Sequence, residues 1–143
     1  MKKILFLSAF VLVALVSSCK KDDPKPEELI VGKWTASSAV IASKDVLIPT
    51  ATIKTELQVE FTSSGTLTFF WKNTDLTSTP NGVFESTLNG TYSWNNGALT
   101  ITVQSGADVK TVTGTLDITE SHFLFTGTSG DTATFLSLLE AHK

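Results

Sequence analysis

Few side chains in this 143-residue chain are equipped for chemistry. Nucleophilic catalysis needs a nucleophile held beside a base. The nearest approach to that is the run Glu120-Ser121-His122. Adjacent residues of a tight turn cannot all converge on one reacting atom, so this run reads as a solvated turn. The only other histidine, His142, lies far along the chain, and no His/Asp pair shows metal-ligand spacing. No catalytic residue, metal or cofactor is therefore expected, and the chain does not read as an enzyme.

The single cysteine, Cys19, is explained by what precedes it. Lys2 and Lys3 make a positive start, residues 4–16 are mostly apolar, and Val16, Ser17 and Ser18 place small residues just before the thiol. These are the parts of an export leader, and the apolar run is shorter than the roughly 20 residues that a membrane span needs. A cleavage site ending in cysteine resembles the lipobox of bacterial lipoproteins. That resemblance implies cleavage after residue 18 and a lipidated Cys19, an anchor rather than a nucleophile. Each buried methylene contributes about 0.8 kcal/mol, and a diacylglyceryl group meets the need for more than one acyl chain. The alternative is an ordinary secretory leader with an incidental cysteine. An unpaired thiol would then enter an oxidising compartment.

Residues 20–28 are charged, carry two prolines and contain no apolar side chain, so an extended tether over 19–28 is expected. Lys21-Asp22-Asp23 resembles the signal that carries Bacteroidetes lipoproteins through the outer membrane to the cell surface; the periplasmic face is the alternative. Residues 29–143 suffice for one domain with one core. Six lysines there face ten acidic side chains, and the chain has no arginine. Arginine supplies most bidentate phosphate and base contacts, which excludes nucleic acid as an expected partner.

The domain is written in period two. Leu57, Val59 and Phe61 alternate with Glu56, Gln58 and Glu60, and Leu67, Phe69 and Trp71 follow the same rule. So do Tyr92 with Trp94, the series Leu99, Ile101 and Val103, and the series Val112, Gly114, Leu116 and Ile118. Phe123 with Phe125, a first strand over 32–40 and a last one over 132–138 complete eight strands. Residues 83–88 read as a short extra strand, and only 138–142 hint at helix. Ser63-Ser64-Gly65, Asn95-Asn96-Gly97 and Ser129-Gly130-Asp131 supply turn chemistry, so sequence neighbours should pair as hairpins. Longer connections are expected at 42–52 and at 73–82, the latter reading as a mobile loop. Such a meander has exposed edges, which closure removes. The expected fold is all-β, an eight-stranded up-and-down antiparallel β-barrel.

Gly32-Lys33-Trp34 at the head of the first strand resembles the Gly-x-Trp signature of lipocalins. The run Gly65-Thr66-Leu67-Thr68-Phe69, then Gly90-Thr91-Tyr92-Ser93-Trp94, resembles the lipocalin-like domain of small Bacteroidetes lipoproteins. The resemblance implies that Trp34 packs across a closed barrel floor, where lipocalins usually supply an arginine from a late strand. Read from the residues alone, Trp34 is a core aromatic; both readings bury it. Asn89-Gly90-Thr91 fits the N-glycosylation pattern, and Asp131-Thr132-Ala133 resembles an O-glycosylation motif of Bacteroidetes secreted proteins.

Eight strands enclose an interior that side chains can fill or that can hold one small ligand. The inward residues are bulky, which favours a filled core. A cavity, where there is one, is expected at the end opposite Trp34, lined by Trp71, Tyr92 and Trp94. Two functions follow. One is a lipid-anchored envelope module that binds a small hydrophobic ligand. The other is a filled barrel that presents its loops to an envelope protein partner. Both place the protein at the outer membrane through Cys19.

Overall fold

The computed structural model describes residues 24–95 and 97–143. The leader, Cys19, the first part of the tether and Asn96 of the expected turn lie outside the described residues. The last part of the tether is not extended. A single helical turn, α1 (Pro26–Leu29), forms with proline at its start and Glu27 and Glu28 in its first turn. Proline is preset for that position and the acidic side chains complement the exposed N–H groups.

Nine strands follow: β1 (Gly32–Ile41), β2 (Lys44–Asp45), β3 (Ile53–Phe61), β4 (Thr66–Asp75), β5 (Gly82–Asn95), β6 (Ala98–Ser105), β7 (Asp108–Ile118), β8 (His122–Gly130) and β9 (Leu136–His142). Strands β3 to β9 pair with their sequence neighbours, β1 pairs with both β3 and β9, and all pairings are antiparallel. Eight strands thus close into a barrel, and β2 lies outside it against the end of β1. The fold expected from the alternation is the fold observed.

Turns and α1 at one end of the barrel close it. Trp34 is fully buried there, and its indole N–H donates to the carbonyl of Ile30 at 2.8 Å. Its ring lies 5.5 Å from that of Phe123, which in turn lies 5.6 Å from Phe61. A cation does cover this floor. The Lys143 ammonium sits 4.4 Å from the Trp34 ring centre and donates to the carbonyls of Leu29 and Val31 at 2.9 and 3.2 Å. The cation over this floor is a lysine from just beyond the last strand. It joins the last strand to α1 and β1 through one side chain. Above the floor, Val59, Phe69, Leu99, Ile101, Phe125 and Leu139 fill the interior to the exclusion of solvent.

Three expected elements differ. Residues 83–88 and 91–94, read as separate strands, belong to one 14-residue strand that runs through Asn89-Gly90. Gly90 faces β6 so closely that a Cβ would meet the Thr102 carbonyl oxygen at 2.3 Å; the glycine serves strand approach. The last strand is shifted from 132–138 to Leu136–His142. Asp131 pins the preceding turn by exchanging hydrogen bonds with Thr111: each backbone N–H donates to the other residue, at 2.8 Å in both cases. Residues 138–142 are strand rather than helix, with Leu139 and Ala141 inward against the core. Without that strand β1 and β8 would both be open edges, a demand that overrides local propensity.

Trp34→Ala is expected to lower the unfolding free energy in urea by about 3–5 kcal/mol, and Lys143→Ala by about 1 kcal/mol. A Trp34 variant as stable as the parent chain would contradict the floor.

Candidate functional site

Strand β1 is divided between two partners. Its first part, Gly32 to Thr35, pairs with Phe61 to Gln58 of β3, whereas Thr35 to Ile41 pair with β9. Register shifts between Ala36 and Ser38 and between Val40 and Ile41 bend it along the way. Beyond the Thr35–Gln58 pair, β1 leaves β3, and the wall between them has no ladder.

A cavity of about 620 Å³ lies at this parting. Its inner side is formed by Ala36, Leu47, Leu57 and Trp71, with the hydroxyls of Thr55 and Ser86 above them. Ala36, Leu47 and Trp71 pack against the core, and Leu57 belongs to it. The outer rim is charged, with Lys33, Lys54, Glu56, Lys72 and Glu85. Glu56 accepts from Lys54 at 2.7 Å and lies 3.9 Å from Lys72. The hydrogen bond and charge of Lys54, then the charge of Lys72, hold its carboxyl below the ordinary value. Lys33 spans Glu60 at 3.7 Å and the face of Phe70 at 6.0 Å. An apolar wall behind a rim of paired ammonium and carboxylate groups suits a molecule with a nonpolar body and a polar head.

Leu47 is placed by Asp45. The Asp45 carboxylate accepts from the Ser38 hydroxyl at 2.7 Å, the Leu47 N–H at 2.9 Å and the Ala39 N–H at 3.4 Å. Burial works to raise its pKa. The three hydrogen bonds outweigh that effect and hold the carboxyl below the ordinary 3.8. Residues 42–52, expected only as a long connection, are therefore tied to β1 by one charged group.

The expected ligand wall does not assemble. Trp71 lines the cavity, one inward row above Trp34, since Leu57 pairs with Trp71 and Val59 with both Trp34 and Phe69. Ser86 pairs with Trp71, and Tyr92 stands six residues further along the same strand, about 20 Å away in extended chain. Tyr92 and Trp94 therefore lie toward the closed end. The Tyr92 hydroxyl donates to the Thr62 carbonyl at 2.7 Å, its ring meets Phe61 edge-on at 5.1 Å, and burial raises its pKa. Sequence reasoning missed Ala36 and Leu47. Ala36 is merely small, and Leu47 sits in a segment without periodicity. The two histidines, far apart in sequence, are direct cross-strand partners, His122 facing His142. Glu120 and Ser121 are exposed in the turn before His122.

Comparison of the chain with protein-family models, with curated proteins and with solved structures returned no match.

A lowered folded-state pKa means that the Asp45 contribution is whole above the unfolded value of about 3.9 and is lost as pH falls through the folded one. The Leu47 amide should thus exchange slowly at neutral pH and lose protection below pH ~4. Asp45→Ala should abolish that protection at neutral pH. Equal protection in the variant would contradict this anchoring.

Proposed function

We propose that this chain is a lipid-anchored lipoprotein of the outer membrane, of the lipocalin-like Bacteroidetes type, whose barrel wall binds one small amphipathic molecule. The observation that carries the reading is the contrast between the two halves of the barrel. The closed half is filled by side chains with almost no exposure, while the parting of β1 and β3 holds a cavity of about 620 Å³ with an apolar back and a rim of lysines and glutamates. The apolar part of the ligand lies against Trp71 and Leu57, and its head faces Lys54 and Lys72. The leader over 1–18, Cys19 as anchor and the charged tether support delivery to the outer membrane, at the cell surface or on its periplasmic face.

A second reading has its own support. Ile53, Leu76, Val83 and Phe84 are large apolar residues left exposed around the β4–β5 end, and Phe84 is 67% exposed. A filled barrel presenting this end to an envelope protein would use them.

Saturable binding of 1-anilinonaphthalene-8-sulfonate, an anionic aromatic probe, is expected, with quenching of tryptophan fluorescence. Trp71→Ala should weaken it by roughly tenfold while leaving the far-ultraviolet circular dichroism of the strands intact, a loss of about 1.4 kcal/mol. Binding unchanged in that variant would move the ligand site elsewhere and favour the interaction reading. The anchor is tested separately, since Cys19→Ala should release the protein from the membrane fraction and persistence there would contradict lipidation.

A further inference from the structure

The β8–β9 hairpin carries a cluster outside the cavity. His122 and His142 face each other across the two strands, and Glu140 precedes His142 by two residues, which puts all three side chains on the outer face. The imidazole rings stand 5.2 Å apart, and His122 Nε2 lies 3.3 Å from Glu140 Oε1. One candidate ligand atom from each residue lies within 4.8 Å of the others. We infer that His122, Glu140 and His142 form a three-ligand site for a divalent transition ion, with Zn²⁺ the best-matched occupant.

Two imidazole nitrogens and one carboxylate oxygen are the donor set of a zinc centre that keeps a fourth position open. At metal–ligand distances of about 2.0–2.2 Å, tetrahedral ligand atoms lie about 3.3 Å apart. The His122–Glu140 separation already has that value, and the His142 ligand atom lies within 4.8 Å of both. Magnesium and calcium prefer oxygen ligands and fit poorly. A simple ion pair would use one histidine and leave the other idle.

The backbone around the site is held. The His122 N–H donates to the Thr119 hydroxyl at 3.1 Å, the Lys143 N–H to the Ser121 carbonyl at 3.2 Å, and the Ser37 hydroxyl to the Glu140 carbonyl at 3.3 Å. Charged neighbours by position are Asp117, opposite Leu124, Glu120 in the turn, and Lys33, two residues from the His142 partner Thr35, its ammonium turned to Glu60. The Lys143 ammonium is turned onto Trp34. The local field therefore favours a cation. His122 and Glu140 are half-buried and His142 is exposed, so an ion can enter and its fourth position stays open to water or to a ligand from another molecule.

The test is titration of the metal-free purified protein with Zn²⁺ at pH ~7.5, where ordinary imidazoles are mostly neutral. Calorimetry should give one ion per chain, and one equivalent should move the ring signals of His122 and His142 together in the NMR spectrum. His142→Gln and His122→Ala should each weaken binding by roughly tenfold or more, with Glu140→Gln also weakened. The NMR readout needs no variant, so it holds even where a substitution perturbs the hairpin. Failure to bind Zn²⁺, or equal binding by parent and both histidine variants, would overturn the site.

Discussion

The structure depends on β1 being shared. A meander of antiparallel strands closes only when its first and last members pair, and β1 must meet β9 while still holding β3. Ten residues serve both partners in succession, with Thr35 as the one residue paired to each. Up to that point the wall is continuous and the interior can be packed. Beyond it β1 bends away through two register shifts, and the wall opens. Closure at one height and an opening at the next are thus two results of one constraint.

The closed half shows what closure provides. With the ladder complete, aromatic rings from β1, β3, β5 and β8 can interlock over α1, and Lys143 ties the final strand to the first. In the open half the barrel relies on the connection before β3. Asp45 is central there because a carboxylate can accept from a hydroxyl and two backbone N–H groups at once, which a neutral side chain cannot do as strongly. Leu47 then completes an apolar wall that β1 no longer supplies. The charged rim belongs to the outer faces of β1, β3, β4 and β5, whose alternation puts lysine and glutamate outward just where the wall parts.

Much of this was legible in the residues. Alternation at 55–61, 66–72, 98–104 and 111–119 marks four strands and their inward faces, and shorter signals at 32–40, 91–94, 123–125 and 132–138 bring the barrel to eight. Alternation assigns a face but not a height along the barrel. Trp71, Tyr92 and Trp94 share the inward face, and only the register of β4 with β5 reveals that Trp71 stands apart from the other two. The same limit hid the histidine pair, since the distance between His122 and His142 is decided by how β8 and β9 slide past each other. The single strand over 82–95 reads in the residues as two pieces, 83–88 and 91–94; it runs straight through Gly90, whose missing Cβ makes room for the Thr102 carbonyl. Helical spacing at 138–142 lost to the need for a closing strand.

The three tryptophans report on three places: Trp34 on the floor, Trp94 near the β5–β6 turn, and Trp71 at the cavity. The most direct measurement is therefore the indole N–H region of a heteronuclear NMR spectrum during titration with 1-anilinonaphthalene-8-sulfonate. The account predicts that the Trp71 signal moves saturably while those of Trp34 and Trp94 stay in place. Movement of Trp34 or Trp94 with Trp71 unmoved would contradict a ligand site at the parting of β1 and β3.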